Sequence, residues 1–171
     1  MAFLHLFIIN KSGGLIHNTR LSDRAPVIST NEFLRIGSTF HSLHAIASEA
    51  SPIVRPPPPS AALPPSQGAP AASGRPLRRL PKDGIDFIDG GSVHLRCLQT
   101  PTGIKFVLTS EADAPNAEAA LRDIYVLYSD YALKNPFYEL DMPIRCELFN
   151  RGVEAMVQRY EMISGSAVSA R

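Results

Sequence analysis

Near its start the sequence reads Phe3-Leu4-His5-Leu6-Phe7-Ile8-Ile9, an apolar run that only His5 interrupts. A strand with one wet face alternates apolar and polar residues, whereas a continuous run is typical of a strand covered on both faces. The turn Lys11-Ser12-Gly13-Gly14 follows and favours a hairpin into a second strand over residues 15–21. The sequence therefore predicts a sheet whose first strand is buried between two layers.

The next segments predict one helix and three further strands. The helix is expected over residues 31–50, where Ser51-Pro52 ends it. Its inward stripe is expected to be Phe33, Ile36, Phe40, Leu43 and Ala47. The strands are expected at Ile85–Ile88, Ser92–Gln99 and Gly103–Thr109.

Two more helices complete the pattern. The second is expected to begin near Asp113, with Pro115 in its first turn, and to stop at Asn135-Pro136. The third is expected to have Pro143 in its first turn and to end near Ile163. Their inward stripes are expected to be Ala117, Leu121, Ile124, Tyr128 and Ala132, then Ile144, Leu148, Val153, Met156 and Tyr160. The order of elements indicates an α+β domain with five antiparallel strands and helices on both faces.

A proline-rich segment interrupts this single domain, which is expected to span residues 1–163. Residues 52–81 hold ten of the fifteen prolines and few large apolar groups, so we expect a disordered insertion over residues 52–82. Arg55-Pro56-Pro57-Pro58-Pro59 could be a polyproline II ligand, and Ser51 could be phosphorylated, but a variable spacer is the favoured interpretation. Residues 164–171 are expected to form a flexible tail.

Charge and cysteine usage exclude several classes of protein. The chain has 17 basic and 16 acidic residues; the insertion holds five of the basic ones and no acid, leaving 12 against 16 elsewhere. A mildly acidic body does not favour nucleic-acid binding. Only Cys97 and Cys146 are present, which argues against a disulfide-rich secreted domain. The apolar start is too short to span a bilayer and lacks signal-peptide features, so we expect a soluble, cytosolic protein.

The sequence offers no constellation for catalysis, a cofactor or a metal. The five histidines are dispersed, and His94 and Cys97 would point to opposite faces of a strand. His41 and His44 share a helix side but reach no usual ligand set. No nucleophile elbow or phosphate loop is present. We therefore expect a protein that is not an enzyme and carries no cofactor or metal.

The connector between the last two helices carries the candidate functional residues. It lies within Tyr128–Phe149 and is richer in aromatic rings, prolines and charges than an ordinary loop. Lys134, Tyr138, Asp141 and Arg145 are expected to contact a partner, because aromatic rings and arginine on rigid turns are typical interface anchors. Phe137 and Met142 could equally plug the end of the core.

Three blocks of the sequence carry a resemblance to a known family. Ser38–Pro52, Leu95–Leu108 and Tyr128–Phe149 resemble the sybindin-type, longin-like small subunit of the TRAPP vesicle-tethering complex, and the opening Phe7–Ile16 also fits. The resemblance implies a strand order of 2-1-5-4-3, with one helix on one face of the sheet and two on the other. The partner-binding set that we expect on the connector is Lys134, Asn135, Pro136, Phe137, Tyr138, Asp141, Met142 and Arg145.

The resemblance implies a scaffolding function. Such a subunit pairs with a second longin-like subunit, is flanked by members of the palmitoylated-subunit family, and acts in nucleotide exchange on a Rab-type GTPase only within the assembled complex. Its expected place is the cytoplasm, peripheral at endoplasmic reticulum and Golgi membranes, in transport between them. The chain departs from animal relatives in lacking a PDZ-like insertion, since only Arg20–Thr30 stands there. The alternative is a longin-type adaptor or coat subunit that recognises sorting-signal peptides.

Overall fold

The computed structural model describes residues 2–50, 84–112, 114 and 116–168, with side chains as far as Ile163. The predicted insertion and the end of the predicted tail lie outside these residues. The strands are β1 (Phe3–Ile9), β2 (Leu15–Arg20), β3 (Phe87–Asp89), β4 (Val93–Gln99) and β5 (Lys105–Glu111). The helices are α1 (Thr30–Ala50), α2 (Ala117–Leu127), a π-helix (Tyr128–Leu133) that continues α2, and α3 (Glu147–Val168).

The five strands form one antiparallel sheet in the order β2-β1-β5-β4-β3, which confirms the predicted architecture. All seven residues of β1 are buried, as the continuous apolar run predicts. His5, its one polar residue, donates from Nε2 to the carbonyl oxygen of Pro26 at 3.1 Å, which compensates for burying the ring. Burial lowers the pKa of His5, so the neutral imidazole is favoured there.

Two apolar cores lie on opposite faces of the sheet. The larger core packs β1 and β5 against α2, the π-helix and α3, and it includes Phe106, Leu108 and Phe149. The smaller core packs the other face against α1. It includes Phe7, Val107 and Phe33, and the Phe33 side chain is 6% exposed. Alternate residues of β5 therefore point to different cores, as the period of a strand requires.

Helix α1 is rotated relative to the predicted stripe. Phe33 and Phe40 are buried as expected, but Ile36 is 39% exposed and Leu43 is 50% exposed. The buried positions beside them are Gly37 and His44. Gly37 faces Leu15 of β2, where an added Cβ atom would lie at an ordinary contact distance of 3.6 Å, and His44 has polar partners inside the protein. The prediction that Ile36 and Leu43 point inward is wrong.

Helix α3 begins four residues later than predicted. The backbone N–H of Ile144 donates to the carbonyl oxygen of Ile16 at 2.8 Å, so this part of the connector lies along the free edge of β2 and is not helical. The helix begins at Glu147, which turns Phe149 fully inward and leaves Leu148 59% exposed. The prediction that Leu148 points inward is therefore wrong, because the phase of the stripe depends on where the helix starts.

The inward stripe of α2 is confirmed, from Ala117 through Tyr128 to Ala132. Gly152 marks the close approach that its position in α3 predicts, because a Cβ atom there would come within 3.0 Å of Leu127 on α2. Among the described helices, none is long and apolar enough to cross a membrane.

Candidate functional site

The connector from Lys134 to Cys146, here called the corner loop, is folded by its own hydrogen bonds. The Asn135 side-chain oxygen accepts from the N–H of Phe137, and the Asn135 carbonyl accepts from the N–H of Tyr138, each at 3.1 Å. Pro136 stands at the second position of this turn, where its fixed φ angle is favourable. Further along, Asp141 has a φ angle of 73°, in the left-handed region that residues other than glycine rarely adopt. The loop is therefore constrained along most of its length.

The apolar side chains of the corner loop point outward. Phe137 is 92% exposed and Met142 is 54% exposed, so neither plugs the end of the core. Tyr138 takes that place: its ring packs against the larger core, and its hydroxyl donates to the Met142 carbonyl oxygen at 3.0 Å. The sequence left the core role open for Phe137 and Met142 and assigned Tyr138 to partner contact, whereas in the structure it is the Tyr138 ring that packs on the core.

The charged residues of the corner loop differ in how far they are neutralised. Lys134 is paired with Asp130 one turn earlier, with 2.5 Å between the ammonium nitrogen and the carboxylate oxygen. Arg145 is exposed and forms no ion pair within the described part of the chain. It lines a shallow pocket of about 260 Å³ together with Asn135, Phe137 and Met142. A guanidinium beside an apolar rim can anchor a partner that offers a carboxylate or carbonyl next to an apolar side chain.

Tyr128 lies beneath the corner loop, at the first position of the π-helix. Its hydroxyl is buried and makes no hydrogen bond of normal distance and angle to a described residue, although the Tyr138 hydroxyl is close enough to influence it. The nearby Tyr138 hydroxyl already donates to Met142. Burial raises the pKa of Tyr128, and its neighbours Tyr138 and Asp141 add to that rise, so the hydroxyl stays protonated.

Replacing Tyr128 by phenylalanine is expected to leave the free energy of unfolding unchanged or to raise it by up to about 1 kcal/mol, because the variant removes a buried hydroxyl that makes no hydrogen bond of normal distance and angle to a described residue. Tyr160→Phe is the matched control. Its hydroxyl donates to Asp123 at 3.0 Å, and losing that bond is expected to cost about 1 kcal/mol. Urea denaturation of both variants tests the prediction, and a clear loss of stability in Tyr128→Phe alone would contradict it.

A second candidate surface lies between α1 and the β3 edge of the sheet, and the sequence did not predict it. Helix α1 packs mainly over β1 and β2. Among the described residues, the same face of β3 and the start of β4 is therefore less covered, although Cys97 of β4 is buried in the smaller core. The resulting apolar groove, here called the α1–β3 groove, has a volume of about 720 Å³. Its lining includes Val27, Ile28, Ile36, Phe40, Leu43, Ile88 and Leu95. The one sequence feature that relates to this groove is the group of large apolar residues on α1, which the helical periodicity assigns to the core.

The histidines are used structurally. His44 is buried, accepts at Nδ1 from the N–H of Ile85 at 3.2 Å, and donates from Nε2 to the Gln99 side-chain oxygen at 2.7 Å. His41 lies 3.4 Å from the Lys105 ammonium, and burial and that charge lower its pKa. Within the described residues, no three His, Cys, Asp or Glu side chains are grouped as metal ligands would be.

Comparison with known proteins gives a consistent family. The model of the Sybindin-like family matches residues 3–160. Trafficking protein particle complex subunit 4 of Dictyostelium discoideum is 39% identical over 150 residues, which is 88% of this chain and 92% of that protein. The human subunit of the same name is 38% identical over 133 residues, or 78% of this chain and 49% of its own length. The match thus spans about half of that mammalian relative.

A more distant similarity concerns a differently numbered subunit. Trafficking protein particle complex subunit 1 of Rattus norvegicus is 30% identical over 87 residues, which is 50% of this chain and 60% of that protein. Two subunits named for the same complex are therefore both similar to this chain.

Proposed function

The chain belongs to the Sybindin-like family, and from that premise we propose that it is a core scaffold subunit of a TRAPP vesicle-tethering complex, without catalytic activity of its own. In this proposal it works with a longin-like partner to form the surface on which a Rab-type GTPase exchanges nucleotide. It acts in transport from the endoplasmic reticulum to the Golgi, at the cytoplasmic face of those membranes.

The observation that carries the proposal is the presence of two separate apolar surfaces on a small domain. The corner loop exposes Phe137 and Met142 on a constrained backbone, and the α1–β3 groove exposes Leu43 and Ile36. Exposed apolar groups gathered in this way are typical of protein–protein contacts. Two such surfaces suit a subunit that must hold two neighbours at once.

The α1–β3 groove is the surface that we assign to the longin-like partner. The similarity to both subunit 4 and subunit 1 supports this, because homologous subunits in one assembly commonly associate through equivalent faces about a twofold or near-twofold axis. β3 is only three residues long, and within the described residues it pairs with β4 alone, so in this proposal its outer edge receives the partner. The corner loop then remains for a subunit of the palmitoylated family.

Such a scaffold promotes exchange by linkage. A complex that binds the nucleotide-free GTPase more tightly than the loaded form lowers nucleotide affinity by the same factor. The present chain would contribute a rigid wall to that binding site. The isolated chain is accordingly expected to have almost no exchange activity.

Charge-introducing variants test the two surfaces separately. Leu43→Asp places an unpaired carboxylate in the α1–β3 groove and is expected to weaken binding of the longin-like partner by about 30-fold or more. Arg145→Glu is expected to weaken binding of the palmitoylated-family subunit by about tenfold without affecting the first contact. The measurement is pull-down and titration of the co-expressed small subunits of the complex.

Matched controls exist on the same helices. Leu34 is 49% exposed on α1 but does not line the groove, and Arg151 is 70% exposed on α3 beyond the corner loop. Leu34→Asp and Arg151→Glu are expected to change binding by less than about threefold. Wild-type protein that recovers none of the small TRAPP subunits, or recovers coat-type adaptors in their place, would overturn the proposal.

A further inference from the structure

Phe137 is the most exposed of the large apolar side chains in the described part of the chain. Its relative exposure of 92% means that the ring contacts almost nothing of its own protein. The side chains that flank it behave differently, since Asn135 is half-buried and Tyr138 packs on the larger core. The corner loop therefore presents a single aromatic ring at its tip.

The backbone that carries this ring is held in one shape. Two hydrogen bonds to Asn135 close the turn, Pro136 restricts its second position, and the Tyr138 ring anchors its end in the core. Little conformational entropy remains to be lost by the backbone when the ring is buried in a complex. Exposing a phenyl ring in water and at the same time restraining its position is the arrangement expected of a preformed binding anchor.

We propose that the Phe137 side chain inserts into a pocket, about one phenyl ring in size, on the palmitoylated-family subunit that the proposed function assigns to the corner loop. At this point the chain is the inserted group and the partner supplies the cavity. The inference rests on the proposed function, in which the corner loop binds another subunit. It adds that most of the binding free energy of that contact is concentrated on one side chain and its turn.

The charges of the corner loop favour a protein partner over a lipid surface. Glu139 and Asp141 lie between the exposed Phe137, Leu140 and Met142. Lys134 is already paired with Asp130, so Arg145 is the one unpaired cation of the loop within the described residues. Two carboxylates would face anionic headgroups if the loop entered a membrane, and no basic patch compensates for them.

The polar groups beside the ring also favour a pocket with a defined rim. Asn135 and Arg145 line the same 260 Å³ pocket as Phe137. Both can form hydrogen bonds with backbone or carboxylate oxygens around the mouth of a partner's cavity. A flat apolar patch would leave these groups without partners once water is excluded.

The test measures affinity for the co-expressed small TRAPP subunits with a size series at position 137. Phe137→Ala is expected to lower affinity by about 30-fold to 100-fold, as for other aromatic anchors. Phe137→Trp is expected to lower it by at least about tenfold, because the larger ring does not fit a pocket of phenyl size. Thermal unfolding should be nearly unchanged in both variants, since the ring makes few contacts in the free chain.

Leu140 provides the control within the same loop. It is 68% exposed, and Leu140→Ala is expected to change affinity by less than about threefold. Asn135→Ala keeps the phenyl ring but removes the side-chain bond of the turn, and it is expected to lower affinity by about fivefold to tenfold.

Each contrary outcome has its own meaning. Equal losses of affinity in Phe137→Ala and Leu140→Ala, with Phe137→Trp binding as well as wild type, would overturn the proposed insertion into a pocket and indicate a flat contact surface. Unchanged affinity in Phe137→Ala would show that the ring does not contribute to binding and would overturn the proposal. Phe137-dependent sedimentation with anionic phospholipid vesicles, without any effect on subunit affinity, would overturn the protein partner. Failure of the wild-type chain itself to bind the subunits would instead count against the proposed function.

Discussion

Replacing Phe149 by alanine is expected to lower the free energy of unfolding by about 3 to 5 kcal/mol, the range measured for removing a fully buried aromatic ring. Phe149 has no exposed surface, and it lies in the larger core at the start of α3. Its ring meets the His17 ring edge-on, with 5.1 Å between the centroids. The loss combines the buried apolar surface, the ring contact and the cavity left behind.

Leu148 is the matched control for this variant, because it is the neighbouring residue and is 59% exposed. Leu148→Ala is expected to cost less than about 1 kcal/mol. Urea denaturation followed by circular dichroism measures both values. A larger loss in Leu148→Ala than in Phe149→Ala would mean that α3 begins in the phase that the sequence alone predicts.

Phe149 also helps to fix the position of the corner loop. The loop is attached to the sheet by the bond between Ile144 and Ile16. Two residues separate Ile144 from Glu147, where the helix that Phe149 anchors begins. Weakened partner binding in Phe149→Ala is therefore expected alongside its instability. This is why surface positions, and not Phe149, serve to test the partner contacts.

Protonation of His17 is expected to destabilise the protein below neutral pH. His17 lies on β2 with 8% of its surface exposed, and burial lowers its pKa from 6.5 to about 4. The folded protein thus favours the neutral ring. Stability from this group is complete above pH 6.5, falls as the pH decreases toward 4 because the unfolded chain binds the proton first, and is constant below that.

The size of the effect follows from the shift. A pKa lowered by between two and three units corresponds to about 3 kcal/mol, of which roughly 2.5 kcal/mol is expected by pH 4.5. His17→Phe keeps a ring against Phe149 but cannot titrate. The difference in unfolding free energy between this variant and wild type should therefore change by about 2.5 kcal/mol between pH 7.5 and 4.5.

Thr19 separates burial from hydrogen bonding as the cause. Its hydroxyl lies 2.8 Å from Nε2 of His17, so Thr19→Val removes the bond and leaves the ring buried. Because burial causes the shift, Thr19→Val should retain the pH dependence. An NMR titration in which the His17 ring of the wild-type protein takes up its proton near pH 6.5 would contradict the prediction.

The two predictions are coupled. Phe149→Ala opens a cavity beside the His17 ring, and water entering it is expected to raise the pKa of His17 toward 6.5. The two rings are also in direct contact. The double variant Phe149→Ala with His17→Phe should therefore lose less stability at pH 7.5 than the two single variants lose together.

Much of the fold could be predicted from local patterns. The uninterrupted run Phe3–Ile9 indicated a strand covered on both faces, and the α2 stripe ending in Tyr128 and Ala132 was correct at every position. These patterns are reliable because each depends only on the period of a strand or helix and on the burial of apolar groups. The position of the corner loop was likewise visible from its density of rings and prolines.

The errors arose where a contact distant in sequence overrides a local pattern. Pro143 could have opened a helix, but the N–H of Ile144 bonds to β2, and the later start moves Phe149 inward in place of Leu148. On α1, the packing of Gly37 against Leu15 and the polar partners of His44 place that side of the helix inward and leave Ile36 outside. These contacts cannot be predicted from the sequence of either helix alone, because the partner residues lie elsewhere in the chain.

The sequence by itself determined the order of the elements, the two-sided burial of β1, and the position of the corner loop between the last two helices. The tertiary structure alone decided which faces of the helices remain exposed: Phe137 outside and Tyr138 inside on the corner loop, and the α1–β3 groove as a second surface. The physical reason is that periodicity measures how apolar a helix side is, whereas exposure depends on how much of that side its neighbours cover. Coverage is set by pairings between residues far apart in the chain.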